Sequence, residues 1–309
     1  MTDTLTTRSI TTEGTNPRSR EAKQAERQYR RARGWSPWKS ALKHIGLILV
    51  GFIMLYPVIW LVVSSLRPTE EIFRNPGLIL DSFEVSNYTE GWNTLSEPFG
   101  VFLLNSVLIV LGCIVGNLVS CSMAAYAFAR LKFSGKRWWF AAMLMTLMLP
   151  IHVIIVPQYI MFSQLGFVNT YLPLILPKIL ATDAFFVFLM VQFIRGIPKE
   201  LDEAARIDGC GHPRIFGIII LPLMVPALAT TAIFTFIWTW NDFFSQLLYL
   251  TKPEMYTVPL ALRAFMDAQS STSWGPMFAM SVVSLLPIFL VFLFGQRFLL
   301  KGIATTGGK

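Results

Sequence analysis

The chain has 309 residues, of which 54% are hydrophobic and only 14% charged, and its mean hydropathy is +0.55. A soluble domain of this length cannot bury so much apolar surface in one core, so the composition excludes a soluble globular protein and predicts an all-α integral membrane protein. The net charge of +8 requires no nucleic acid partner, because membrane orientation and anionic lipid headgroups account for it.

The first 41 residues are rich in Thr and then in Arg, with few aliphatic side chains. This composition predicts a disordered, basic tail on the cytoplasmic side, followed by a membrane domain over residues 42–309. Trp35 and Trp38 lie where the tail meets the first apolar stretch, the position that interfacial aromatic residues prefer.

Six apolar stretches are long enough to cross a hydrocarbon core of about 30 Å, which takes about 20 helical residues. They are predicted at about residues 45–65, 102–128, 138–160, 171–194, 217–240 and 277–300. With the N-terminus in the cytoplasm, 21 of the 26 Lys and Arg residues fall on the cytoplasmic side and four outside. The positive-inside rule therefore predicts a multi-pass protein with both termini in the cytoplasm.

Small residues recur at four-residue intervals in the second stretch and predict a face that packs closely on another helix. They are Gly112, Gly116, Ser120 and Ala124. Proline interrupts every stretch except this one. Such breaks free backbone carbonyls, which a membrane tolerates only against neighbouring helices or a wet cavity, so they fit a translocation path or simply kinked packing.

Polar residues inside or beside the spans are the candidates for a solute path. Lys178 and Asp183 lie within the fourth stretch, where a charge at the bilayer centre costs about 2.5–3.5 kcal/mol on insertion scales, so both should face protein or water. They either line the path, form a structural pair, or include a Lys that snorkels to the outer surface. Trp240 and Asn241 lie near the outer end of the fifth stretch, where they suit a sugar ring but also an ordinary aromatic belt.

The polar run between the fourth and fifth stretches carries the most specific pattern. It reads Glu-Ala-Ala at 203–205, Gly209 after three residues, and Ile-x-Leu-Pro at 219–222 after nine more. Pro198 and the acidic residues that follow predict the start of a helix, and Gly209 suits its C-terminal cap. A second short helix is predicted through residues 214–216. Taken alone, these residues also fit a capped surface helix in an ordinary cytoplasmic loop.

The pattern at 203–222 resembles the EAA loop of permease subunits in bacterial ATP-binding-cassette importers. Beyond this loop, the chain from about residue 42 onward is similar to the second permease subunit of the carbohydrate-uptake branch, the maltose and glycerol-phosphate type. The further matching phrases are Asn105-Ser106, Ala125-Tyr126-Ala127 before Arg130, residues 197–201 and 240–244, Gln296-Arg297-Phe298 and Lys301-Gly302.

The resemblance implies a fold of six transmembrane helices with a cytoplasmic coupling helix between spans 4 and 5. It implies that the chain imports a sugar together with a homologous permease subunit, two ATP-binding subunits and an extracytoplasmic solute-binding protein. The residues coupled to the ATPase would be Glu203, Ala204, Ala205, Asp208, Gly209, Arg214 and Pro222, and a further ATPase contact would be made by Gly307, Gly308 and Lys309.

The chain has no Gly-x-x-x-x-Gly-Lys-Ser/Thr sequence, so it lacks the phosphate-binding loop of an ATPase. It is therefore predicted to be a transport subunit that binds no cofactor, with ATP and Mg²⁺ used by the partner. Three scattered histidines and three cysteines predict neither a metal site nor a disulfide framework. An ATP-independent transporter or channel for a small polar solute is the alternative, although it does not explain residues 203–222.

Overall fold

The computed structural model describes residues 37–80, 82–267 and 274–306. Nearly all of the predicted tail, and the predicted contact at Gly307, Gly308 and Lys309, lie outside the described residues. Where the structure is described, the regular elements are all helical, which confirms the predicted class. Among the described residues, the chain divides into two compact units, with the boundary after Ile59.

Fourteen α-helices follow one another in the described ranges. They are α1 (Pro37–Ser64), α2 (Ser86–Asn93), α3 (Phe99–Arg130), α4 (Lys136–Thr146), α5 (Ile151–Gln164), α6 (Leu172–Ile179), α7 (Ala184–Gly196), α8 (Glu200–Ile207), α9 (His212–Ile215), α10 (Leu221–Leu223), α11 (Val225–Trp240), α12 (Phe244–Tyr249), α13 (Val258–Asp267) and α14 (Trp274–Thr306). A π-helical turn, Phe216–Ile220, joins α9 to α10, and a 3₁₀ turn, Pro253–Met255, precedes α13.

Four helical segments are long and apolar enough to cross a membrane by themselves: Trp38–Ser64, Phe99–Arg130, Leu172–Gly196 and Trp274–Arg297. Two further pairs pass the same test only together, Lys136–Thr146 with Ile151–Gln164 and His212–Leu223 with Val225–Trp240. Counting each bent pair as one span gives six, the predicted number. The predicted third and fifth spans are thus not straight, since their halves meet at 100° and 75°.

Proline marks two of the places where the apolar spans break, because it lacks the N–H that would continue the helical ladder. Pro150 directly precedes α5, and Pro226 lies in the first turn of α11. The fourth span is also interrupted, at residues 180–183, where Ala181 has a positive φ of 57°. Only α3 among the spans from the second to the fifth runs without a break.

Helix α3 is the centre of the unit formed by residues 60–309 and packs against α6, α7 and α11. The predicted small-residue face makes the contact with α6: a Cβ on Gly112 would lie 2.8 Å from Ile175 Cδ1, and one on Gly116 would lie 3.0 Å from the backbone nitrogen of Ile179. Such distances leave no room for a larger side chain, which confirms the predicted packing role. Ser120 adds a hydrogen bond to the carbonyl of Lys178 at 2.7 Å.

Polar side chains near the start of α3 fix the segment that leads into α13. The Asn105 amide donates to the carbonyls of Glu254 and Tyr256 at 3.0 and 2.9 Å. The Ser106 hydroxyl accepts from the backbone N–H of Val258 at 2.9 Å. The Asn-Ser pair in the sequence therefore satisfies backbone groups of a connection about 150 residues away in the chain.

Candidate functional site

Helix α8 is a capped helix whose start and end follow from its sequence. It begins at Glu200, two residues later than Pro198 suggests, and Glu200, Asp202 and Glu203 form its acidic first turn, where the helix dipole favours negative charge. It ends as predicted at Gly209, which has a φ of +78°. The N–H groups of Gly209 and Cys210 donate to the carbonyls of Arg206 and Ala205, the Schellman pattern that only a left-handed residue permits.

The two faces of α8 differ in exposure. Asp202 and Ala205 are buried, and Ala205 packs with residues of α3, α7 and α9 in the largest apolar cluster of the protein. The exposed residues of the helix and its cap are Glu200, Leu201, Glu203, Ala204, Arg206, Ile207, Asp208 and Gly209. The resemblance gives both Ala204 and Ala205 as residues coupled to the ATPase, but the structure exposes Ala204 and buries Ala205 on the inward side.

Ile207 is the most conspicuous residue of the outward face because 87% of its surface is exposed. It lies on a short helix outside the apolar spans, between the charged residues Arg206 and Asp208. Exposed Leu201 and Ala204 precede it at three-residue intervals, the spacing of neighbours on a helix surface, and an exposed apolar strip of this kind marks a surface that another protein covers. The sequence pattern does not single it out, since position 207 is not one of the seven fixed positions of the 203–222 motif.

A buried ion pair attaches the inward face of α8 to the end of α3. Arg130 Nε lies 2.8 Å from Asp202 Oδ2, with the two side chains 3% and 5% exposed. A second guanidinium nitrogen of Arg130 donates to the carbonyl of Ile197 at 2.7 Å, just before α8 begins. Breaking a buried pair by removing one partner leaves an uncompensated charge and costs about 3–5 kcal/mol, so this attachment is firm.

One helical turn earlier on α3, Tyr126 contacts α9. Its hydroxyl lies 3.2 Å from His212 Nδ1, and its ring packs on Phe216. The predicted second short helix is therefore present but begins earlier, at His212. Arg214 and Pro222 are both exposed. We call residues 197–215, which contain α8 and α9, the short-helix segment.

Inside the membrane-spanning part, Lys178 and Asp183 form an ion pair. Lys178 Nζ lies 2.9 Å from both carboxylate oxygens of Asp183, and the side chains are 29% and 21% exposed. The fully buried amide of Asn117 donates to Asp183 Oδ2 at 2.7 Å and also contacts Thr235 Oγ1 at 3.1 Å. These four residues, here called the membrane polar cluster, connect the fourth span to α3 and α11.

A cavity of about 280 Å³ opens beside the membrane polar cluster. Lys178 lines it, so this residue belongs both to a structural pair and to a cavity wall. The other residues that line it with polar or aromatic groups are His152, Trp238, Thr239, Asp242, Phe244, Ser245 and Gln246. This mixture of aromatic faces and hydrogen-bonding groups is typical of small-molecule sites, which carry a few polar groups on a largely apolar wall.

Two predicted path residues lie elsewhere. Trp240 is only 2% exposed and stacks on Phe236 with ring centroids 5.4 Å apart, so it is part of the apolar core rather than of the cavity wall. Asn241 is exposed, and its amide donates to the carbonyl of Ile237 at the end of α11. The structure places Trp238, two residues earlier, against the cavity instead, because residues two apart on a helix point in nearly opposite directions.

Sequence reasoning missed Asn117 and Thr235, which complete the membrane polar cluster, and the pairing of Arg130 with Asp202. Asn117 gave a usable signal, since an amide within an apolar span must find a partner. Arg130 gave none, because a basic residue at the cytoplasmic end of a span is expected from the positive-inside rule alone. Its partner lies 72 residues away, in the short-helix segment.

Comparisons with known proteins agree with this architecture. Residues 109–304 match the family described as binding-protein-dependent transport system inner membrane component. The chain is similar to the arabinooligosaccharides transport system permease protein of Halalkalibacterium halodurans, with 36% identity over 89% of this chain and 98% of that protein. It is also similar to the diacetylchitobiose uptake system permease protein of Streptomyces coelicolor, with 32% identity over 84% of this chain and 85% of that protein.

Among solved structures, the fold is similar to a chain of a bacterial ATP-binding-cassette transporter involved in the import of alginate. The TM-score is 0.75 at 21% identity, and the match covers 86% of this chain and 99% of the other. The family match accounts for the membrane-spanning helices and for the absence of a phosphate-binding loop, since this component transports while separate subunits hydrolyse ATP. The chain thus belongs to the family of inner-membrane permease components of binding-protein-dependent importers.

Proposed function

We propose that α8 is the coupling helix of a sugar importer and that its outward face docks on an ATP-binding subunit. The observation that carries the proposal is the division of α8 into a face fixed to the membrane domain and a face that exposes Ile207. The outward residues Glu203, Ala204 and Asp208 would share the docking surface, together with Arg214 of α9. Ala205 would support α8 from within rather than touch the partner.

The complete importer would contain this chain, a homologous permease subunit, two ATP-binding subunits and an extracytoplasmic solute-binding protein. ATP and Mg²⁺ would be bound by the partner subunits. Both termini, the short-helix segment and the 131–135 connection would lie in the cytoplasm, which the distribution of Lys and Arg supports. ATP binding would favour the outward-facing conformation and hydrolysis would reset it, which is alternating access between two states.

A sugar or oligosaccharide is the proposed cargo. Relatives are named for arabinooligosaccharides, diacetylchitobiose, trehalose and maltose, and glycerol phosphate. The cavity beside Lys178 supports this class, because Trp238 offers an aromatic face while Thr239 and Asp242 offer hydrogen-bonding groups of the kind that sugars need. Within the cavity, the charge of Lys178 is already matched by Asp183, which favours a neutral cargo over an anionic one.

The first experiment is to tag this chain in its host, extract it in mild detergent and identify the proteins that accompany it by mass spectrometry. Recovery of an ATPase with a phosphate-binding loop and of a second permease subunit is expected. The cargo is then identified by releasing and analysing the sugar bound to the accompanying solute-binding protein. Recovery of a folded chain without any ATPase would overturn the proposal.

A matched pair of substitutions tests the docking surface itself. Ile207→Asp should remove the ATPase from the purified complex without lowering the yield of this chain, since the exposed side chain contributes nothing to its own fold. Ile79→Asp is the control, because Ile79 is 81% exposed and would lie on the other side of the membrane. Retention of the ATPase by Ile207→Asp would show that α8 is not the docking helix.

A further inference from the structure

We propose that α3 transmits movement of the docking helix to the membrane polar cluster, with Arg130 as the positioning residue at one end of the path and Asn117 at the other. The inference rests on the proposed docking of α8 and adds the route by which docking reaches the membrane interior. It assigns a role to a helix that contains no part of the 203–222 motif.

The last turns of α3 are attached to the short-helix segment at three points. Arg130 contacts Asp202 within α8 and the carbonyl of Ile197 just before it. Tyr126 contacts His212 in α9. Because Tyr126 and Arg130 are four residues apart, they lie on the same face of α3. This face therefore contacts the segment before, within and after the docking helix.

The attachment at Asp202 leaves α8 little freedom to move alone. Both side chains are almost fully buried, and Arg130 Nε and Nη1 and Asp202 Oδ1 have no hydrogen-bond partner among the residues that the structure describes. The two charges therefore depend mainly on their mutual contact. A displacement of α8 must carry the end of α3 with it or leave two buried charges unpaired.

At its other end, the path reaches the membrane polar cluster. Asn117 lies nine residues before Tyr126, about 13 Å along an α-helix at about 1.5 Å per residue. Its amide contacts Asp183 of the fourth span and Thr235 of α11. Lys178, which pairs with Asp183, lines the cavity. A shift of α3 along or around its axis therefore acts on the cavity wall through two hydrogen bonds.

Helix α3 is better suited to this role than the neighbouring spans because it is continuous from Phe99 to Arg130. The pair that leads from α9 to α11 contains a π-helical turn and a bend of 75°. Helix α7 is joined to α8 by residues 197–199, which are not helical, and Arg130 binds the carbonyl of Ile197 in this link. Coupling over such distances is carried by rigid elements in physical contact.

The test uses the complete importer in proteoliposomes, with MgATP as the ligand and a thiol reagent as the probe. Trp238→Cys places a thiol in the cavity wall, and labelling at residue 238 is quantified by peptide mass spectrometry, which separates it from Cys113, Cys121 and Cys210. We expect MgATP to change the labelling rate in this reference protein. In Arg130→Gln complexes that contain bound and active ATPase, the rate should become the same with and without MgATP.

Exchange of the two charges is the decisive companion variant. Arg130→Asp combined with Asp202→Arg should restore most of the nucleotide-dependent change in labelling. A loss of stability in Arg130→Gln would not by itself explain such a restoration. Arg137→Gln is the control, because Arg137 is exposed on α4 and should leave the change intact. If Arg130→Gln does not fold, Tyr126→Phe removes only the hydroxyl contact to His212 and should reduce the change partially.

The two hypotheses fail in different ways. If Arg130→Gln binds an active ATPase and keeps the full nucleotide-dependent change, the inference is overturned and the signal travels through α7. The same conclusion follows if the variant with exchanged charges behaves like Arg130→Gln and Tyr126→Phe behaves like the reference protein. Failure of the reference complex to contain any ATPase would instead overturn the proposed docking of α8.

Discussion

Two ion pairs, one at the C-terminal end of α3 and one beside its middle, differ in burial and in hydrogen bonding. Arg130 and Asp202 are 3% and 5% exposed and share one close contact, while Lys178 and Asp183 are 29% and 21% exposed and share two. Asn117 adds a further donor to Asp183. The more buried pair is thus the less completely hydrogen-bonded one, and it depends more strongly on both of its members. Burial, and not the number of bonds, should rank the two pairs by the cost of disrupting them.

The largest loss of stability is therefore expected when the pair of Arg130 with Asp202 is disrupted. Arg130→Ala leaves the Asp202 carboxylate buried without its counter-charge and should destabilise the protein by about 3–5 kcal/mol. The measurement is the midpoint of thermal unfolding of the detergent-purified protein. Asp202→Ala should lower it by a similar amount, since it strands the guanidinium instead.

Arg137→Ala is the matched control for this prediction, because it removes the same charge from an exposed position a few residues along the chain. It should leave the midpoint unchanged within the range typical of surface substitutions, about 0.5 kcal/mol. Equal effects of Arg130→Ala and Arg137→Ala would show that the pair with Asp202 contributes no special stability.

The second prediction separates α6 from α3 without touching a charge. A Cβ on Gly116 would lie 3.0 Å from Ile179 N and 3.1 Å from the carbonyl carbon of Lys178, and backbone atoms cannot rotate away. Gly116→Ala should therefore cost about 1–3 kcal/mol, as overpacking of a tight contact does. It should also weaken the ion pair of Lys178 with Asp183, because it displaces the helix that carries Lys178.

Gly46→Ala sharpens this result, because Gly46 lies within helix α1 and a Cβ there meets nothing within 4 Å. In a helix interior, Ala is favoured over Gly by about 0.5–1 kcal/mol, so this control should be neutral or stabilising. A lower unfolding midpoint for Gly46→Ala than for Gly116→Ala would contradict the steric explanation.

The third prediction concerns the left-handed cap that ends α8. Gly209 ends α8 in the left-handed conformation, with open space around its Cα, so a substitution there is opposed by backbone conformation alone. Gly209→Ala should cost about 1–2 kcal/mol and reduce the ATPase bound to the complex. Gly211→Ala, two residues away in the same segment, has a negative φ and only an ordinary contact with Pro213. Similar losses of bound ATPase in both variants would show that the left-handed cap is not what positions α8.

The sequence predicts single elements of this protein better than the pairing between them. Gly209 as a helix cap and Gly112 and Gly116 as a packing face follow from local rules, because left-handed φ and small size are properties of glycine itself. The bend of 100° between α4 and α5 does not follow from Pro150 alone, since proline also occurs within α1, α5 and α14 without ending them.

For the candidate site, the sequence did not predict which side chains point outward and which point into the core. Ala205 and Trp240 belong to recognisable motifs, yet both point into the core, whereas Ile207 and Trp238 are the exposed residues. Motif spacing indicates where a helix lies, but the face that it buries depends on neighbours that are distant in the chain. The same is true of Asp202, whose position in the first turn of α8 suggested a favourable helix dipole and not a buried partner on α3.

The smallest expected change in stability is at the Lys178 end. Asp183→Asn removes the charge but retains groups that can hydrogen-bond with Lys178 and Asn117. Because the two side chains are 29% and 21% exposed and Lys178 borders a cavity, the loss should be smaller than for the almost fully buried pair of Arg130 with Asp202. Transport by the reconstituted importer should nevertheless change, because the charge of Lys178 in the cavity wall is no longer neutralised.

The measurement is uptake of the cargo identified from the solute-binding protein, beside the unfolding midpoint and the amount of bound ATPase. Asp242→Asn is a useful companion, because Asp242 lines the same cavity and accepts a hydrogen bond from the Ser245 N–H but forms no ion pair shorter than 4 Å within the described residues. A large loss of stability in Asp183→Asn with unchanged uptake per folded complex would assign the Lys178 pair to structure alone. Changed uptake at nearly constant stability would instead give the two ion pairs different roles, with the Arg130 pair holding the docking helix and the Lys178 pair setting the charge that the cargo meets.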